Sequence, residues 1–359
     1  MTWKLVDSRC GFDREEGGGR VTGMQSATNR VEGGPVQSDP TQGGGFSKRI
    51  SVNTLVYTLL AIVVLALLLV MYLQAPNFFR VNNLINVLVQ ASIVGILALG
   101  LTFVLVGGGI DLSMPATLAL SGVLGAMCMR DTNMAIVGPF VMLAIGASIG
   151  AFNGYAVAYM KMTPFVVTLA TMTVAGGAAV WITGSQSISD YPLEFEDFFV
   201  SRILGLPLSV WIFAGCTILA SLVLDRTVFG RFIRAIGFNP VAASISRVPV
   251  RRVLCLTYVV AGVLAGLTGV LLVARLGSAS ASLASDSLLL DIISACVIGR
   301  VSIYGGVGSP LQAALGAIVV TLISNSLNQL GVSYFASLVI KGTIIVLFVY
   351  LDRLVRRSA

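Results

Sequence analysis

The 359 residues are 56% apolar and 11% charged, with a net charge of +7, whereas a water-soluble domain carries about 25% charged residues. That much apolar surface exceeds what one core can bury, so an ordinary soluble domain is excluded and the bilayer becomes the solvent. The absence of His excludes imidazole catalysis and His-ligated metals, and Cys10, Cys128, Cys216, Cys255 and Cys296 stand apart with no CxxC pairing. The cysteines read as small packing residues, and no metal site or cofactor is expected.

Residues 1–50 contain ten Gly, Pro35, Pro40 and scattered charges without apolar periodicity. This composition predicts a disordered tail rather than a signal peptide, with Met24 an alternative start. Residues 54–74 then run uncharged for 21 positions, enough helix at about 1.5 Å per residue to span a hydrocarbon layer of about 30 Å. Further spans are expected at 84–106, 114–129, 135–160, 164–184, 207–224, 253–275, 288–304, 311–331 and 335–351. The third and eighth are short, which suits re-entrant segments or helices packed inside a bundle. The expected fold is an all-α, polytopic transmembrane bundle of about ten helices, with residues 51–359 forming one permease-like unit.

Charge bias orients it. With the N-terminus inside, the inner connections hold Lys48, Arg49, Lys161, six arginines between 225 and 252, and Arg353, Arg356 and Arg357. The outer connections hold Arg80, Arg130, Arg202 and Arg275 beside Asp131, Asp190, Glu194, Glu196, Asp197 and Asp286. The positive-inside rule then places both termini in the cytoplasm.

The longest inner connection runs from Asp225 to Arg252. Asn239–Pro240 is a helix start, because Asn caps free backbone N–H groups and Pro fits the first helical position. Val241, Ala242 and Ala243 continue a short helix outside the membrane. The loop is either a basic topology signal or a docking element, and the cap favours docking. Two glycine-rich turns, Gly107 to Pro115 and Gly305 to Pro310, break the apolar pattern, and their amides could meet a polar substrate. Asp111 is either functional at membrane depth or a cap for the next helix. Gly262, Gly266 and Gly269 form a small-residue stripe suited to helix packing within the bundle, ahead of a dimer contact. The outer loop from Ile188 to Phe199 is acidic and aromatic, either an interfacial belt or a docking surface. No GxxxxGK[ST] run exists, and Lys4, Lys48, Lys161 and Lys341 are the only lysines. The chain therefore lacks its own P-loop ATPase site.

GGGIDLS (107–113), LALSG (118–122), TPFVVTLATMTVAGG (163–177), FGRFIRAIGFNPVAA (229–243) and YVVAGVLAGLTGVLLVARLGSA (258–279) occur in order, followed by LDIISACVIG, GGVGSP and VIKGTIIVLFVYLD. Across about 54–352 this set resembles the permease subunits of bacterial sugar-type ATP-binding-cassette importers, the ribose, xylose, arabinose and galactose group that includes autoinducer-type permeases. The resemblance implies a multi-pass inner-membrane subunit, not an enzyme, that forms the path for a monosaccharide or related small polar solute. Its implied partners are a cytoplasmic ATP-binding subunit, a periplasmic or lipid-anchored sugar-binding protein, a second permease chain (identical or not) and membrane lipid, with no nucleic acid. It implies ATPase coupling through Gly230, Arg231, Arg234, Gly237, Asn239, Pro240, Ala242 and Ala243. Asp111, Ser113 and Thr171 are candidates for the translocation path. The chain departs from the family pattern at Met114, Pro115 and Ala116, and has Arg247 and Arg300 where the family commonly has Gly. An ATP-independent carrier or channel remains an alternative, as does a same-fold permease for branched-chain amino acids or nucleosides.

Overall fold

The computed structural model describes residues 65–66 and 68–357. The predicted tail over 1–50 and most of the first span lie outside them, although 68–74 are helical. Twelve helices follow in chain order. They are α1 (Val81–Val106), α2 (Met114–Thr132), α3 (Val137–Ala158), α4 (Pro164–Thr183), α5 (Leu193–Val200), α6 (Leu208–Arg226), α7 (Val228–Phe238), α8 (Pro240–Ile245), α9 (Val250–Leu276), α10 (Asp286–Ile298), α11 (Pro310–Gln329) and α12 (Tyr334–Arg357). Two residue pairs, β1 (Arg202–Ile203) and β2 (Leu206–Pro207), close a small antiparallel hairpin before α6.

Among the described residues, seven helical stretches are long and apolar enough to cross a membrane: α1, α3, α4, α6, α9, Ala281–Ile298 and α11. The protein is an all-α, multi-pass bundle. Helix α2 has the length of a span but is less apolar, and most of it is buried among its neighbours. The predicted eighth span stops at Ile298 rather than 304. Its carbonyls are taken up by Gly299, Arg300 and Val301 N–H groups, and Arg300 at φ +57° turns the chain away.

Close backbone approach holds the centre together. Helices α3 and α9 run antiparallel, with Gly146, Gly150 and Gly154 facing Gly262, Gly266, Tyr258 and Cys255. A Cβ on Gly146 would fall 2.2 Å from Gly262 O, and one on Gly262 2.1 Å from Gly146 O. Only hydrogen fits there. In lipid, where apolar side chains gain little by leaving the hydrocarbon, such packing supplies much of the association energy. Gly299 and Gly316 do the same between α10 and α11.

Helix α1 is the hub. Its residues from Ala91 to Val106 are buried, packed by α6, α9, α10 and α11. At one end Asn83 Nδ2 donates to Asn325 Oδ1 at 3.0 Å, while Asn325 and Gln329 donate to Asn83 Oδ1 at 3.2 and 3.1 Å. These bonds clamp α1 to α11. The other end meets the loop that holds α7 and α8.

Candidate functional site

The connection from α6 to α9 folds as two short helices against the end of the bundle. Helix α7 is amphipathic, burying Gly230, Ile233 and Ile236. Thr227 accepts a hydrogen bond from Gly230 N and so caps α7. Gly230 packs on α6 so closely that a Cβ would lie 2.0 Å from Leu224 O. Arg234 pairs with Asp225, while Arg231 faces solvent. Asn239 Oδ1 accepts from Val241 N and Ala242 N, both at 3.0 Å, and so starts α8 where the Asn-Pro spacing predicts it. Ala243 is buried and Ala242 exposed, so α8 sits on the bundle by one face.

The other face carries a signal that charge-based reading missed. Phe238, Val241 and Ile245 are 69%, 66% and 78% exposed. They sit among the exposed Arg231, Asn239, Pro240 and Arg247. Three large apolar groups, Phe238 at the end of α7 and Val241 and Ile245 on α8, stand in a polar, basic setting and form a small apolar knob. The i, i+4 spacing of Val241 and Ile245 was readable once a helix was placed there.

Both glycine-rich turns end at this knob. A Cβ on Gly237 would lie 2.0 Å from Val106 O and 2.4 Å from Gly306 N, and Gly306 N donates to Val106 O at 2.9 Å. Gly305, at φ +91°, also stacks on Gly237 and Gly108. Glycine amides of these turns are used in backbone hydrogen bonds rather than left open to a substrate. The arrangement joins α1, the turn between α10 and α11, and the junction of α7 and α8 at one point.

Asp111, Ser113 and Thr171 also come together, through Asn153, which the sequence did not flag. Ser113 donates to Asp111 Oδ1 from its N–H at 2.9 Å and from its hydroxyl at 2.6 Å. Asn153 Nδ2 donates to Ser113 Oγ at 2.9 Å, and Thr171 Oγ1 donates to Asn153 Oδ1 at 2.6 Å. The chain of bonds ties the turn before α2 to α3 and α4. Asp111 and Ser113 are buried at 2% and 1% exposure. Asp111 does not cap α2, which starts at Met114 without a side-chain cap. Thr171 borders an apolar cavity of about 450 Å³ between α2, α3 and α4.

The opposite end carries Tyr191 and Phe195, both buried, on the acidic loop and α5. The Tyr191 hydroxyl donates to Val273 O at 3.3 Å. Burial, with Glu196 nearby, raises its ionisation well above the usual tyrosine range. Those rings anchor the loop to α9 and leave Glu194 and Asp197 exposed.

Repeated apolar helices and a capped, apolar-tipped element at one end of the bundle define a multi-pass membrane protein with a structured loop outside its spans. Residues 83–349 match the family described as branched-chain amino acid transport system / permease component, and the chain belongs to that family. It is 36% identical over 295 residues to the ribose import permease protein of Escherichia coli (strain K12), covering 81% of this chain and 92% of the relative. With the ribose import permease protein of Bacillus subtilis (strain 168) the identity is 38% over 293 residues, covering 80% and 89%. An autoinducer 2 import system permease protein of Yersinia enterocolitica is 38% identical over 263 residues, covering 71% and 79%. No solved structure matches the chain.

Proposed function

We propose that the chain is the membrane-spanning subunit of an ATP-binding-cassette importer for a monosaccharide or a related small polar solute. A separate cytoplasmic subunit hydrolyses ATP and grips the α7–α8 knob. A periplasmic or lipid-anchored binding protein delivers the solute at the opposite end, and a second permease chain completes the path. The bundle sits in the bacterial inner membrane with both termini and residues 225–252 cytoplasmic.

The observation that carries this reading is the knob itself. Phe238, Val241 and Ile245 stand out from a loop that glycine contacts lock onto α1 and the 299–309 turn. A push on the knob is therefore delivered to the transmembrane core. Coupling of this kind needs contacts that differ between two states of the bundle. Gly230, Arg231, Arg234, Gly237, Asn239, Pro240, Ala242 and Ala243 hold or surround the knob. Asp111, Ser113 and Thr171 set the position of α4 beside the path. The sugar-import and autoinducer-import names of the relatives support the solute class.

One feature favours an ATP-independent carrier, the intramembrane pair Lys341–Asp291, 2.8 Å apart. Affinity purification of the chain from its native membrane separates the two readings. The importer brings down a stoichiometric ATP-binding subunit, and solute uptake stops when that subunit's ATPase is inactivated. Uptake by the purified chain alone, driven by an ion gradient, overturns it.

A further inference from the structure

Between α1, α9, α10 and α11, towards the end away from the knob, lies a cavity of about 290 Å³. That is close to the lower bound of about 300 Å³ for small-molecule sites. Its wall includes Gln90, Arg275, Ser285, Asp291, Thr321 and Ser324. The Ser324 hydroxyl is buried without a hydrogen-bond partner, and so is Asp291 Oδ1. Lys341 Nζ lies 2.8 Å from that Oδ1 but is aligned for a hydrogen bond only with Oδ2, at 3.0 Å. A carboxylate offers about four acceptor positions, more than the contact with Lys341 fills. Buried polar groups left without partners are costly, and where they border a cavity they mark a place for a ligand or water.

We propose that this cavity is a binding station for a small neutral polyol, such as a monosaccharide. Two adjacent hydroxyls of the polyol donate to the Asp291 carboxylate, and others exchange hydrogen bonds with Ser324, Gln90 and Thr321. Neutrality follows from the buried charge already present, because Arg275, the other charged group in the wall, is exposed at the surface. Lys341 compensates Asp291, so a ligand that donates hydrogen bonds without adding charge satisfies the carboxylate and leaves the pair intact. Lys341 is a positioning residue that fixes the carboxylate from α12. The inference rests on the importer reading and names where its solute pauses within the chain.

The test uses cells carrying the complete transporter, with Ser324→Cys placed in a chain whose five native cysteines are replaced by serine. Modification by a small charged methanethiosulfonate is timed with and without D-ribose, D-xylose or D-galactose, using L-leucine and D-gluconate as comparisons. A transported sugar at about ten times its dissociation constant for the cavity slows modification about tenfold, as 1 + [L]/Kd requires. In the native-cysteine chain, Ser324→Ala and Gln90→Ala each raise the KM for uptake about three- to tenfold with kcat nearly unchanged, as loss of ground-state hydrogen bonds does. ATPase-dependent sugar uptake without protection, and with unchanged KM in both variants, overturns the cavity while the importer reading stands. Protection by L-leucine or D-gluconate instead overturns the neutral-polyol class. If the cysteine does not react at all, the KM values decide. If no solute uptake depends on the ATPase, the importer reading fails first.

Discussion

Gly237→Ala probes the junction through which we propose that coupling runs. The added methyl would sit 2.0 Å from Val106 O and 2.4 Å from Gly306 N, while ordinary contact begins at 3.4 Å. Both obstacles are backbone atoms, so neither can rotate away. The junction must open by about 1.4 Å, the difference between 3.4 and 2.0 Å. Overpacking of this kind costs about 1–3 kcal/mol. If the two states of the bundle carry that strain unequally, their balance shifts by about 5–150-fold. The expected result is normal membrane insertion, a lowered thermal midpoint in detergent, and solute uptake per ATP hydrolysed reduced at least about fivefold. Gly215→Ala on α6 is the control, because nothing lies within 4 Å of its Cβ. The assay is proteoliposome transport with parallel phosphate release. Wild-type coupling and wild-type thermal stability for Gly237→Ala together refute the reasoning.

Three further outcomes follow from other contacts. Gly146→Ala, whose Cβ meets Gly262 O at 2.2 Å, should lose folded protein on size-exclusion chromatography, whereas Gly176→Ala, with nothing nearby, should match wild type. Asn153→Leu removes the link between Ser113 and Thr171 and strands buried polar groups, at a cost of about 1–3 kcal/mol; its thermal midpoint should fall further than that of Thr171→Val. Arg247, at φ +61°, pays a left-handed backbone cost of about 1–2 kcal/mol that glycine lacks, so Arg247→Gly should raise the thermal midpoint unless the guanidinium contacts the ATP-binding subunit.

The spans were legible because lipid enforces a crude rule of length and polarity, and α1, α3, α4, α6, α9 and α11 begin and end within a few residues of where hydropathy puts them. The start of α8 was legible for a local reason: Asn239 and Pro240 act on their immediate neighbours. The glycine that the resemblance leads one to expect at 247 and 300 would fit the backbone there, since both arginines have positive φ. What stayed hidden depends on contacts distant in sequence. Asn153 is one amide in an apolar helix, and only the fold brings it to Ser113, 40 residues away. Gly146, Gly150 and Gly154 share the every-fourth-residue spacing seen in α9, but their partner across the interface could not be read from one strip. The glycine turns suggested an open cradle, whereas their nearest neighbour is Gly237, more than a hundred residues from Gly108.

The most direct measurement is cross-linking from the tip of α8. With cysteine introduced as Ile245→Cys in an otherwise cysteine-free chain, a short bifunctional maleimide–amine reagent is applied to inside-out membrane vesicles holding the complete transporter. The account predicts a covalent adduct with the ATP-binding subunit, lost when the subunit is stripped from the vesicles. Modification of the same cysteine by a membrane-impermeant reagent added outside intact cells, with no such adduct in vesicles, would contradict it.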